Sequence, residues 1–135
     1  MSDGPICGVG AVVLDQGNIL LIRRGRPPGE GLWAVPGGKV RFGETMTDAI
    51  QREVWEETGL RVRPGRVVWA GDSIGPGEPP EWHFCLVDFL CSIDGGQLSA
   101  GDDAAAVAWV ALDEANDLAL TPTMFDLIDL LRGQS

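Results

Sequence analysis

Glu53, Glu56 and Glu57 are spaced three and four residues apart within the run from Gly38 to Leu60, GKVRFGETMTDAIQREVWEETGL. Wound at about 100° per residue, this run puts Met46, Ala49, Ile50 and Val54 on one arc, the expected packed face. Glu53 and Glu57 fall inside that arc and Glu56 at its edge. Asp48, Gln51, Arg52, Trp55 and Thr58 fall on the opposite face. An amphipathic helix ordinarily keeps its carboxylates on the wet side. Burying ionised groups costs several kcal/mol each unless they are paired or bind a cation, and three acids at these spacings repel one another. A divalent metal is the simplest compensation, and all-oxygen ligation points to Mg²⁺, with Mn²⁺ as the alternative. The competing reading of a bare Glu-x-x-Glu-Glu is a solvated acidic helix.

The surrounding residues decide between them. Gly38, Glu44, Arg52, Glu53, Val54, Glu56, Glu57, Gly59 and Leu60 follow one pattern: Gly, five residues, Glu, seven residues, Arg-Glu, an aliphatic, one residue, Glu-Glu, one residue, Gly, an aliphatic. At ordinary residue abundances nine matches at fixed spacing arise by chance with a probability on the order of 10⁻⁹. The stretch resembles the signature box of the Nudix (MutT-like) hydrolases. That resemblance implies an α/β (α+β) fold, an α/β/α sandwich around a mixed β-sheet, and one Nudix domain over residues 1–135. It also implies hydrolysis of a nucleoside diphosphate linked to another moiety. Glu53, Glu56 and Glu57 would hold the metal, and a water activated beside it would attack phosphorus. Glu53, Glu57 or the loop acid Asp103 would take the proton. By the same resemblance Arg52 orients a ligand carboxylate. Glu44 is spaced for a supporting contact at the helix start, or could serve as a base. An ordinary favourable charge near a helix N-terminus is the competing reading for it.

Substrate contacts must come from outside the helix. Gly37 and Gly38 allow the backbone to approach a phosphate or metal closely, with Lys39 beside them. Arg23, Arg24 and Arg26 precede the box. Guanidinium geometry suits phosphate clamping, and an arginine at the end of this strand is common in Nudix enzymes, which selects Arg23 or Arg24. A solvated basic cluster is the alternative. Asp102 and Asp103 occupy a loop that in many Nudix sequences carries an acid reaching the metal. Pro76 stands 16 residues beyond Leu60, as in some ADP-ribose hydrolases of the family, and leans the reading towards ADP-ribose or a similar nucleotide sugar. A nucleoside triphosphate pyrophosphohydrolase, including one for oxidised dGTP, is the second reading. A non-catalytic nucleotide sensor is the third. Trp33, Trp69 and Trp82 could stack on a base. His83, the only histidine, reads as structural.

Composition bounds the partners. The chain has 135 residues, 44% of them hydrophobic, and a net charge of −10. That charge argues against a nucleic-acid polymer or an anionic membrane as partner. It also makes the few cations near the box more important for a phosphate-bearing substrate. No run approaches a membrane span, and the first residues lack signal-peptide character. Cys7, Cys85 and Cys91 read as buried and reduced, and a cytoplasmic location follows from that. Trp55, on the wet face, suggests a contact with another element or with the second subunit of a homodimer.

Strands are expected over 8–14, 18–23, 32–35, 61–63, 66–72, 82–93 and 104–112, with turns at 15–17, 64–65 and 94–96. The box helix starts at the cap Thr45 and ends at Gly59. A helical turn covers 113–117. Thr121-Pro122 starts a last helix running to about Arg132, with Met124, Phe125, Leu127, Ile128 and Leu131 as its core stripe.

Overall fold

The computed structural model describes residues 4–101 and 104–133. Seven strands form one sheet: β1 (Ile6–Asp15), β2 (Asn18–Arg24), β3 (Trp33–Ala34), β4 (Gly37–Lys39), β5 (Leu60–Ile74), β6 (His83–Gly96) and β7 (Ala104–Ala111). The path runs β3-β2-β1-β6-β5, with β4 also on β1 and β7 on β2. β1 and β6 run parallel from Ile6↔Phe84 to Val13↔Cys91. The other named pairs are antiparallel. Two helices, α1 (Met46–Thr58) and α2 (Pro122–Gly133), and a 3₁₀ turn (Leu112–Asp117) complete the described elements. No helix among the described residues is long and apolar enough to cross a membrane.

The strand period of two sends alternate residues to opposite layers. Val9, Ala11 and Val13 of β1 and Leu20 of β2 pack with Ala49, Ile50 and Val54 of α1. Val12, Ile19 and Leu21 pack with Met124, Leu127, Ile128 and Leu131 of α2. The two helices therefore cover opposite faces of a mixed sheet, as the sequence implied. Ile50 and Val54 are fully buried, each contributing roughly 1.5–3 kcal/mol by leaving water.

α1 is bounded by the expected caps. Thr45 Oγ1 accepts the Asp48 N–H at 3.1 Å, and Gly59, at φ 75°, donates its N–H to Trp55 O. The left-handed turn at Gly59 swings the chain straight into β5. That turn explains one correction: Thr58, expected on the wet face, is fully buried. Its hydroxyl donates to Val54 O at 2.7 Å and accepts the Leu60 N–H at 3.1 Å. Met46, expected inside, is exposed because it stands on the first turn, before the helix reaches the sheet.

Other expectations fail for related reasons. Pro64-Gly65 does not end a strand; β5 continues through it with shifts in register between Pro64 and Val67. Asp94-Gly95-Gly96 is strand rather than turn, since Leu60 and Arg61 pair with Gly96 and Gly95. Phe125 is exposed although its neighbours on α2 are buried. Of the cysteines only Cys91 is buried, which pushes its thiol up to about 12; Cys7 is half-buried and Cys85 exposed.

Candidate functional site

The box carboxylates meet the sheet at β4. Gly38 pairs with Val9 and so faces α1, while Gly37 pairs with Gly10 and faces the other layer. The Glu53 carboxylate lies against Gly38, where a Cβ would stand. Glu57 is only 6% exposed, and its Oε1 accepts the Gly37 N–H at 2.8 Å. Glu56 is the exposed member of the three.

Arg52 ties this group together. Its Nε donates to Glu44 Oε2 at 2.8 Å and its Nη2 to Glu44 Oε1 at 2.9 Å, a two-pronged pair. Nη1 reaches Glu53 Oε1 at 2.6 Å and lies 3.5 Å from Glu56 Oε2, while Nη2 also donates to Lys39 O at 3.0 Å. A guanidinium fork held by a carboxylate has little freedom. Arg52 leaves the helix on the face away from the packed arc, and its long side chain reaches back to Glu53 and Glu56, where it is largely covered. Its guanidinium, helped by the Arg41 N–H, holds the Glu44 carboxyl down at about 2. Glu44 in turn, with Glu53, keeps Arg52 above its ordinary range. Three carboxylates, those of Glu44, Glu53 and Glu56, thus converge on one guanidinium. This oxygen-rich, net negative arrangement fits a hard divalent cation.

Gly37, Gly38 and Lys39 also line a cavity of about 420 Å³ on the far side of β4, between the β1/β6 face and the start of α2. Arg24 lines it as well, its Nε donating to Pro28 O at 2.7 Å. Arg23, the neighbouring candidate, does not line the cavity. It is exposed, with its guanidinium 6.0 Å from the Trp33 ring centre. Of the three tryptophans proposed as stacking surfaces, Trp82 lines the cavity, its Nε1 donating to Ser73 Oγ. Trp33 and Trp69 pack on the α2 layer. Pro76 does not line the cavity; it sits in a turn where its carbonyl accepts the Glu81 N–H, whereas Pro27 and Pro28 are in the lining. Trp55 is half-exposed and carries the Arg61 guanidinium of β5 4.9 Å from its ring centre. His83 lies beside Asp72 and Cys85. Asp102 and Asp103 lie outside the described residues.

One cavity residue went unnoticed in the sequence. Asp88, in the middle of the hydrophobic run of β6, is buried and lines the cavity. Burial raises its carboxyl from 3.8 to about 6. A carboxyl whose folded value is raised loses stability as pH climbs from the unfolded value to the folded one. The loss then stays constant, at about 3 kcal/mol for a shift of this size. Asp88→Asn is therefore expected to raise the melting temperature by about 10 °C at pH 8 and by little at pH 3.5. Melting curves at the two pH values check this, and an equal shift at both would contradict it.

Residues 5–131 match the NUDIX domain family. The chain belongs to the Nudix hydrolase family. It is 36% identical over 115 residues to the ADP-ribose pyrophosphatase of Methanocaldococcus jannaschii, covering 85% of this chain and 67% of that one. It is 32% identical to the MutT-like protein of Streptomyces ambofaciens, covering 92% and 75%. Among solved structures, the MutT NUDIX hydrolase from Burkholderia pseudomallei superposes with a TM-score of 0.82 at 28% identity, over 95% of this chain and 98% of that one. Nudix hydrolases act on nucleotide small molecules and generally use a divalent metal.

Proposed function

We propose that this Nudix protein hydrolyses the pyrophosphate linkage of a nucleoside diphosphate derivative, ADP-ribose or a similar nucleotide sugar, with Mg²⁺ as its metal. The observation that carries the reading is the meeting of Glu53 and Glu57 with Gly37 and Gly38 at the rim of the cavity. Glu53, Glu56 and Glu57 hold the metal, which when bound neutralises pyrophosphate oxygens and acidifies a water. Arg52, itself fixed by Glu44, positions Glu53. The Gly37 N–H orients Glu57. Arg24 and Lys39 receive phosphate oxygens at the cavity side. The water oxygen forms the new bond to phosphorus, its proton passes to a box carboxylate, and the bridging P–O bond breaks.

The relative named as an ADP-ribose pyrophosphatase supports the substrate assignment. A nucleoside triphosphate, including oxidised dGTP, is the second reading, favoured by the carboxylate of Asp88 in the cavity, which suits a guanine edge. The test is a turnover screen of the purified protein with Mg²⁺ or Mn²⁺ at alkaline pH. ADP-ribose, sugar nucleotides, and normal and oxidised triphosphates are the substrates. Release of AMP from ADP-ribose, abolished by EDTA, is expected. Pyrophosphate from triphosphates instead would transfer the assignment to the second reading. Nucleotide binding without turnover of any of them would overturn hydrolysis in favour of a sensor.

A further inference from the structure

Asp88 has no task in the chemistry so far. It stands in register with Gly10 of β1. Its carboxylate lies over Gly10, in the place a side chain there would occupy, beside Val35. It is 8% exposed, it takes part in none of the hydrogen bonds among the described residues, and its carboxylate opens on the cavity. Its surroundings in the cavity include Leu86 and Met124. A carboxylate so largely removed from water, with no donor from the chain, is costly. A donor supplied by a ligand would balance that cost.

Its position fits the substrate of the proposed hydrolysis, on which this inference rests. Gly10 stands between Asp88 and Gly37, paired with each. Asp88 is therefore two strand spacings, about 10 Å, from Gly37, whose N–H holds Glu57. A substrate with its phosphates at Gly37 to Lys39 and Arg24 extends its nucleoside part towards Asp88.

We propose that Asp88 is a specificity-determining residue, a paired acceptor for two adjacent hydrogen-bond donors on the substrate, either the cis-diol of a ribose or the N1–H and N2–H edge of a guanine. Above about pH 6 the carboxyl is ionised and offers acceptors only. Adenine and cytosine set an acceptor beside their amino group, and uracil flanks its N–H with two carbonyls, so each would face the carboxylate with a repulsive neighbour. The other charged groups lining the cavity are Arg24, Lys39 and Asp72.

The test measures binding apart from turnover. In a Glu57→Gln background, ADP-ribose and the diphosphates of guanosine, 2′-deoxyguanosine and inosine are titrated calorimetrically against Asp88, Asp88→Ala and Asp88→Asn. Asp88→Ala is expected to weaken the preferred ligand by at least about 10-fold, the worth of a hydrogen bond to a charged group. With a diol, Asp88→Asn retains binding within a few-fold, because an amide can donate to one hydroxyl and accept from the other. With a guanine edge, Asp88→Asn loses as much as Asp88→Ala. In that case the deoxy ligand binds like the ribo ligand and inosine diphosphate binds more weakly. Dissociation constants within twofold of the parent for every ligand would overturn the proposal, as would failure of the parent to bind any of them below millimolar concentration. Failure of the hydrolase reading is seen separately, as lack of turnover by the unmutated protein with Mg²⁺.

Discussion

Glu57→Gln is expected to lower kcat/KM by at least about 10³-fold, equivalent to about 4 kcal/mol of transition-state stabilisation. The substitution keeps the size of the side chain, and its amide oxygen can still accept the Gly37 N–H. It removes one negative charge from the three box acids and with it a strong reason for a cation to bind there. Glu57 is the most buried of the three box acids, so water compensates least for its charge. A second readout does not depend on turnover. If the unmutated protein binds Mg²⁺ only when folded, the ion at 100 times its dissociation constant stabilises it by about 2.7 kcal/mol. The melting temperature of the unmutated protein should therefore rise with Mg²⁺, and that of Glu57→Gln should rise far less. Near-full activity of the variant, with the same metal-induced shift, would remove Glu57 from the assignment.

Two adjacent glycines of β4 should respond in opposite ways. A methyl group on Gly37 would run into the backbone carbonyl of Val9, which belongs to the β1 ladder and cannot step aside. Gly37→Ala is expected to destabilise the fold by about 3 kcal/mol, lowering the melting temperature by about 10 °C. A methyl group on Gly38 would instead meet the carboxylate of Glu53, the far end of a flexible side chain. The fold can absorb that by moving Glu53, so Gly38→Ala should keep a melting temperature within a few degrees of the parent. Activity should fall by about 10²-fold or more, since a displacement of about 1 Å at a catalytic group has effects of that order. Melting curves and kcat/KM measured on both variants check the pair. Full activity in folded Gly38→Ala would mean that the seat of Glu53 is unimportant.

The sequence by itself determined the part of the site that one helix carries. The candidate residues Arg52, Glu53, Glu56 and Glu57, and the caps Thr45 and Gly59, are related by helix geometry, in which neighbours are three and four residues apart. Most strands of the sheet, and the last helix, were legible for the same reason: local period and turn chemistry set them.

Only the tertiary structure decided which residues from distant strands face one another. Asp88 reads in sequence as one polar residue inside an apolar strand. It becomes a cavity group because the parallel pairing of β1 with β6 sets it over Gly10, 78 positions away along the chain. Arg24 rather than Arg23 lines the cavity, where its Nε is held by Pro28 O from the following loop, beyond the regular β2 ladder. Thr58 is buried because Gly59 turns the chain against β6, a contact outside the helix period. Pro64-Gly65 and Gly95-Gly96, which break structure locally, stay within strands because the partner strand supplies hydrogen bonds around them. Except at Arg24, the deciding interaction joins residues far apart in the chain, and local propensity carries no information about it.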